Sequence, residues 1–453
     1  MSARSAAKAM ATPREVALDA LVRVEEGAFA NVLLPTLLRS SGMEQRERAQ
    51  TTELVYGTLR RRRSLDALLE PALDRDLDDV DAPVRAALRL GVYQLVEGVA
   101  PHAAVGETVG ALERVAPRAK GYANAVLRKV AALGPPWPWP EGDSVTAVGI
   151  RTSMPDWIVA RLFADIGVDD ARAALEIANE PASLTLRVNP RRATVDEVVA
   201  ELVAAGASVE RGALFPDALV VRGGGDPGRM ASVLDGRSTP QDQGSQAIAR
   251  AVGAQPGDRV LEVGAAPGGK VTVIAEAMND QGVVVALDVH PGRLGLVERA
   301  SARLGLDAVD AVAADGRRLP LAPQSFDRVL LDAPCSGFGV LRRRPEARWR
   351  VQPDAVDQLA ALQRELLASA AEMVRPDGRL VYSVCTLTSA ETVDVDEWAR
   401  TALPDFVADP PPGAPWKSWG RGALLLPQVA GTDGMYLLTL TRSADAQKPG
   451  AQK

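Results

Sequence analysis

Arg259-Val-Leu-Glu-Val-Gly-Ala-Ala-Pro-Gly-Gly-Lys270 reads as an apolar strand, a turn of small residues and the first turn of a helix. Small residues let the backbone come close to a ligand, and a helix start offers free N–H groups. Two carboxylates keep step with this loop. Asp288 closes the next strand-like run, 283–287, and Asp315 follows the run Val309–Ala313. In a doubly wound sheet such positions face a nucleotide-like ligand, Asp288 toward ribose hydroxyls and Asp315 toward an adenine. Further strand-like runs at 328–331 and 379–383 alternate with helical stretches, so residues 241–441 are expected to form an α/β, Rossmann-like domain with 435–441 as an extra strand. Gly264 to Lys270 also fits the phosphate-loop pattern G-x-x-x-x-G-K. Val271 stands where that loop needs a hydroxyl, and Pro267 removes an amide a phosphate would use, so nucleotide hydrolysis is the weaker reading.

The pattern changes upstream. Residues 12–133 repeat apolar positions at helical spacing, as in Val16, Ala17, Ala20, Leu21 and Val24, and again in Val84, Ala87, Leu88, Val92 and Leu95. An all-α domain follows from this. Residues 134–143 (GPPWPWPEGD) cannot continue a helix and read as a linker docked through Trp137 and Trp139. Residues 144–240 mix helical runs (155–163, Val195–Ala204) with strand-like ones (Leu184–Val188, Ala218–Arg222), as in a small α+β module. The first sixteen residues read as a short flexible arm and 442–453 as a disordered tail. There is no apolar run of ~18 residues and no secretory pattern, so a cytoplasmic location is expected.

Two Cys and two His make a disulfide framework or a Cys/His metal site improbable. Cys335 lies in 331–337 (LDAPCSG) and Cys385 in 381–386 (VYSVCT), each just past a strand-like run and at the ligand end of the expected sheet. A lone free cysteine is more often a small buried hydrophobe than a nucleophile; two at one functional edge favour reactivity. The net charge of −6 does not suggest a polyanion partner, but two basic runs stand out. Arg60 to Arg63 reads equally as a solvated face or an RNA contact. Arg342, Arg343, Arg344 and Arg348, with Trp349 beside them, are read as RNA-binding because they follow a catalytic-looking segment.

The motifs AAPGGK, DAPCSGFGVLRR and YSVCT, in this order, resemble the RNA 5-methylcytosine methyltransferases of the Nol/Nop/Sun family. The segments 55–60 (VYGTLR) and 120–128 (KGYANAVLR) are similar to NusB-like RNA-binding domains. The resemblance covers nearly the whole chain. It implies that Cys385 is the nucleophile, that Cys335 assists release of methylated RNA, and that Gly264, Ala265, Ala266, Pro267, Gly268, Gly269, Lys270, Asp288, Asp315 and Asp332 line an S-adenosyl-L-methionine site. Lys270 and Asp332 then join the catalytic set, Lys270 favouring the thiolate and Asp332 holding the N3/N4 edge of the base. The implied partner is 16S rRNA, with the cytosine-967 site as target; no metal is implied, and a monomer is expected. A thiol suits this reaction because C5 of cytosine is a weak nucleophile until a thiolate adds to C6. The alternatives are the same chemistry on another RNA such as tRNA, or a non-catalytic RNA-binding assembly factor. The chain departs from the usual family pattern at 262–264 (EVG), Val384 and Gln428.

Overall fold

The structure, a computed structural model, describes residues 12–444. Residues 1–11 and 445–453, where the arm and most of the tail were expected, lie outside the described residues. The chain divides into two compact units. One takes residues up to Arg161 with Leu175–Pro181 and Leu341–Arg350; the other takes Leu162–Ala174, Ala182–Val340 and Val351 onward.

The first unit is built around the helices α1 (Pro13–Glu25), α2 (Ala30–Ser40), α3 (Gln45–Arg60), α4 (Arg62–Leu69), α5 (Ala82–Val96), α6 (Pro101–Glu113) and α7 (Lys120–Ala131), with the helix Val145–Thr152 following them. Helix α1 starts early because Thr12 accepts from the Glu15 amide while the Glu15 side chain reaches back to the Thr12 amide, and Pro13 occupies a position that needs no amide partner. Residues 13–16 are therefore helical rather than part of a flexible arm. Helix α5 is buried on nearly every side, as befits the centre of a bundle. At its middle the buried Arg89 is held by Asp66 (2.6 Å) and by Glu25. Removing either carboxylate would leave part of a buried charge uncompensated, a loss of about 3–5 kcal/mol where a pair is fully broken. Trp137 and Trp139 pack against this core.

The second unit holds two sheets. The smaller comprises β1 (Leu184–Val188), β2 (Ser208–Arg211), β3 (Ala218–Arg222) and β4 (Ser238–Pro240), all antiparallel in the order β2-β3-β1-β4. The helix Val195–Ala204 closes its apolar face through Val198 and Leu202, against Leu186, Leu219 and Val221. From the fully buried Arg187 of β1, the guanidinium pairs with Glu276 and donates to Thr272 and Gln241. Glu276 and Thr272 belong to the helix Gly269–Ala277, so the small sheet braces the helix that follows the small-residue loop.

The larger sheet contains β5 (Arg259–Val263), β6 (Val283–Asp288), β7 (Val309–Ala313), β8 (Phe326–Asp332), β9 (Val374–Val384), β10 (Phe406–Ala408), β11 (Lys417–Trp419), β12 (Gly422–Leu425) and β13 (Met435–Arg442). Its order is β11-β12-β13-β9-β8-β5-β6-β7, with β10 on β13. Strands β5 to β9 run parallel, and the added strands at the β9 edge are antiparallel. Val260, Leu261 and Val263 of β5 and Val329, Leu330 and Leu331 of β8 are buried, the continuous apolar pattern of strands covered on both faces. Strand order reverses between β5 and β8, so a crevice opens at their carboxyl ends. Arg442 is the last residue of β13, which corrects the expected start of the tail at that position.

Candidate active site

Gly264 ends β5 at the point of reversal. Its φ is +84°, and a Cβ there would lie 2.3 Å from the Asp332 carbonyl oxygen. Only glycine lets the β5 loop approach the end of β8 this closely. The Gly264 and Ala265 amides donate to the Leu287 carbonyl at 2.8 and 3.0 Å, tying the loop to β6. Gly268 (φ +103°) then caps the helix Gly269–Ala277, whose free amides face the crevice end of the sheet. Val271 is wholly buried in that helix, so nothing there replaces the hydroxyl of a phosphate loop.

The expected carboxylates take three different environments. Buried Asp288 accepts from the amides of Ala266 (3.3 Å) and His290 (2.9 Å), with Arg293 at 3.6 Å. Asp315 is gripped by Arg317 at 2.7 Å; that hydrogen bond, with one from the Arg317 amide, holds its carboxyl down at about 2. Asp332 accepts from Lys270 Nζ at 2.6 Å. Burial opposes the charge on Lys270, but Asp332 and Glu262 outweigh it and push its pKa up. Glu262 sits one residue before the end of β5. Burial pushes its carboxyl well above the usual range, against the pull of Lys270, and its Oε2 has no hydrogen-bond partner.

The two cysteines meet. Cys335 Sγ lies 3.3 Å from Cys385 Sγ, both half-buried and both free. The hydrogen bond between them and then burial push the Cys335 thiol up; the same hydrogen bond pulls Cys385 down, with Lys270 helping and burial and Asp332 opposing. The contact thus favours the proton on Cys335 over Cys385.

A buried carboxylate fixes the two cysteine loops together. Glu391 accepts from the Ser336 amide (2.8 Å), Ser336 Oγ (2.5 Å), Thr388 Oγ1 (2.8 Å), Gln363 Nε2 (3.1 Å) and Thr386 Oγ1 (3.2 Å). Ser336 follows Cys335 and Thr386 follows Cys385, so one side chain sets the spacing of both sulfurs. Sequence reading missed Glu391 and Glu262. The Thr388-x-x-Glu391 spacing, a capping-box pattern, was the available signal for the first; a lone carboxylate inside an apolar strand was the signal for the second.

Against known proteins, residues 249–441 match the family model described as 16S rRNA methyltransferase RsmB/F, residues 11–132 the NusB family, and residues 154–226 the ferredoxin-like domain of RsmF/B-like methyltransferases. The ribosomal RNA small subunit methyltransferase B of Thermus thermophilus is 36% identical, the match covering 95% of this chain and 98% of that protein. The chain belongs to the 16S rRNA methyltransferase RsmB/F family. The enzyme of the same description from Pseudomonas syringae pv. tomato is 35% identical over 97% of this chain and 99% of its own length. The crystal structure of PH0851 superposes with a TM-score of 0.82 at 25% identity, covering 95% and 99% of the two chains. This RsmB/F-family chain is therefore an RNA methyltransferase with a NusB-like helical domain, a small middle domain and a Rossmann-like core carrying a mixed sheet.

The basic segment of this RsmB/F-family chain departs from expectation. Arg348 is fully buried in the first unit and cannot touch RNA. Its guanidinium donates to the carbonyls of Arg60 (3.0 Å), Thr152 (3.4 Å), Ser153 (3.2 Å) and Ala178 (3.2 Å), and to Asn179 Oδ1 (2.8 Å). Arg60 ends α3, Thr152 ends the helix Val145–Thr152, and Ala178 follows the helix Val168–Ile177. Three helix C-termini, each with orphan carbonyls and a negative dipole end, thus share one cation. Burial pushes Arg348 down to about 9, which still leaves it charged at neutral pH. Trp349 is half-buried under Arg62, at 5.0 Å, while Arg344 is exposed and Arg342 donates to the Pro181 carbonyl. The first run is also not a solvated face: Arg60 is buried beside Glu53, and Arg63 pairs with Asp156.

Proposed function

We propose that this chain transfers a methyl group from S-adenosyl-L-methionine to carbon 5 of a cytosine in 16S rRNA, through a covalent adduct between Cys385 and carbon 6. The observation that carries it is the 3.3 Å contact of two thiols whose proton affinities are driven apart, at the edge where the sheet reverses. The cofactor fits the loop on two grounds: the cradle at Gly264 that a Cβ would fill, and the orphaned buried oxygen of Glu262 behind it. Gly264 to Lys270 and Asp288 would hold it, with Asp315 beyond. When bound, it supplies an electrophilic methyl on a sulfonium.

The chain's own groups do the rest. The Cys385 thiolate forms a bond to C6, and the electrons of the C5–C6 double bond move to make C5 nucleophilic. Asp332, held by Lys270, accepts from the N4 amino group and orients the base, while the Lys270 ammonium, in electrostatic reach of Cys385, counters the negative charge that builds as the thiolate adds. Once C5 carries the methyl group, a base removes its proton, the C5–C6 double bond re-forms and the thiolate leaves. Cys335, 3.3 Å away and holding its proton, would hydrogen-bond the sulfur of Cys385 as it departs and so favour release of the RNA. The target base must leave its stack to reach the sulfur. The cytosine-967 site remains the target this reading favours.

The test is transfer of labelled methyl to unmodified 16S rRNA by wild type and by Cys385→Ala, with the product base mapped. Transfer to cytosine C5 that vanishes in the variant supports the reading. Transfer to another atom, or retained transfer in the variant, overturns it.

A further inference from the structure

A cavity lies wholly within the first unit. Its volume is about 350 Å³, and its walls include Glu25 of α1, Arg62 of α4, Arg89 of α5, and Glu346, Trp349 and Arg350 of the segment Leu341–Arg350. Buried polar groups almost always have partners. Here two lining residues do not satisfy theirs. Glu346 is 4% exposed, and its Oε2 has no hydrogen-bond partner; the indole Nε1 of Trp349 is buried and equally unpartnered. One wants a donor and the other an acceptor. Arg62 lies over the Trp349 ring and makes no ion pair among the described residues, and Arg350 lies 4.3 Å from the ring of the exposed Phe29. By contrast, Glu25 and Arg89 satisfy one another and so leave their charges spent.

The cavity therefore offers a carboxylate acceptor, a neighbouring N–H donor, aromatic faces and an uncommitted cation. Among nucleobases, guanine alone sets two adjacent donors, N1–H and N2–H, beside an acceptor, O6, on one edge. Aromatic and guanidinium planes stack on a base, and a free arginine meets its phosphate. We propose that this cavity binds a guanine nucleotide, with Glu346 accepting from its N1/N2 edge, Trp349 donating to O6 and Arg62 facing the phosphate. The source favoured here is an unstacked guanosine of the RNA substrate, which rests on the proposed RNA methylation; a free nucleotide has the same chemistry. The site would place a base-reading pocket in the helical unit, between NusB-like helices and the segment Leu341–Arg350, and give the enzyme a second point of register on its substrate.

Binding of a short oligouridine carrying one guanosine is compared with plain oligouridine and with guanosine monophosphate, for wild type, Glu346→Gln and Trp349→Phe. Wild type is expected to prefer the guanosine oligonucleotide by about tenfold, the scale of one hydrogen bond to a charged group. The preference should vanish in Glu346→Gln and shrink in Trp349→Phe, which keeps the ring and loses only the donor. Competition by guanosine monophosphate that follows the same two substitutions, with no guanosine preference in the oligonucleotide, would assign the pocket to free nucleotide. Equal binding of both oligonucleotides by wild type with no response to guanosine monophosphate, or a preference untouched by both substitutions, would overturn the proposal. Binding is read without methyl transfer: intact transfer with no guanine preference sinks the pocket alone, and intact preference with no transfer sinks the proposed reaction alone.

Discussion

Replacing Glu391 with Gln tests whether one carboxylate sets the spacing of the two cysteine loops. One oxygen accepts from the Ser336 amide and Gln363; the other accepts from the hydroxyls of Ser336, Thr386 and Thr388. An amide that keeps its oxygen toward the two N–H donors presents an NH2 to three hydroxyls. It has two hydrogens, so at most two of the three contacts re-form, and they re-form as neutral ones. Hydrogen bonds to a charged group contribute about 1.5–3 kcal/mol and neutral ones about 0.5–1.5 kcal/mol. The expected loss is about 2–4 kcal/mol, or roughly 5–10 °C in the melting of a unit this size. Glu391 also helps to push the Cys335 thiol up, so its neutralisation should let Cys335 ionise at lower pH. Calorimetry and the pH profile of cysteine alkylation read the two effects separately. A stability change below about 0.5 kcal/mol, within the range of an ordinary surface substitution, together with an unchanged alkylation profile, would refute the assigned role.

Four further substitutions have defined outcomes. Cys335→Ala removes the hydrogen bond that chiefly lowers Cys385, so the alkylation midpoint of Cys385 should move to higher pH; an unmoved midpoint would show that the contact does not bias the proton. Gly264→Ala sets a methyl 2.3 Å from the Asp332 carbonyl at a positive φ. It should cost ~1–2 kcal/mol in backbone strain before the overlap is counted, and weaken S-adenosyl-L-methionine binding by at least about tenfold in calorimetric titration; wild-type affinity would contradict the cradle. Arg348→Ala should lower the stability of the helical unit by about 3–5 kcal/mol, because four buried carbonyls and the half-buried Asn179 Oδ1 lose their donor, at about 1–3 kcal/mol for each group left unsatisfied. Exposed Arg344→Ala should instead leave melting unchanged and reduce the salt dependence of RNA binding by ~0.7 in log–log slope; the reverse pattern would restore Arg348 to the RNA surface.

The central sheet was legible because its strands are rich in apolar residues: Arg259–Val263, buried after its first residue, carries the expected bounds, and so does Val309–Ala313, although that strand lies at the sheet edge with none of its residues buried. Strands β2 and β4 were not. Ser208–Arg211 is mostly exposed with no apolar alternation, and Ser238–Pro240 is three residues long, so periodicity had nothing to register. The sulfurs were legible from their motifs, since each follows a strand end on the same side of a parallel sheet. The arginines were not. A run of cations reads as surface unless one knows that three helices end around it, and no local pattern in 342–350 records where distant carbonyls lack donors. The inward turn of Arg348 depends on the last turns of helices ending near 60, 152 and 177.

The membership of Leu341–Arg350 in the first unit bears on the order in which the chain becomes stable. Leu341 is made 180 positions after Arg161. At ~5–20 residues per second on the ribosome, the helical bundle waits roughly 10–40 s for the arginine that neutralises its three helix ends. During that interval the nascent bundle is an open socket, and a fragment ending before residue 341 would stay one. Completion of the helical unit is thereby timed by synthesis of the segment just after Cys335: the unit cannot be finished in any molecule whose Cys335 loop has not yet been translated.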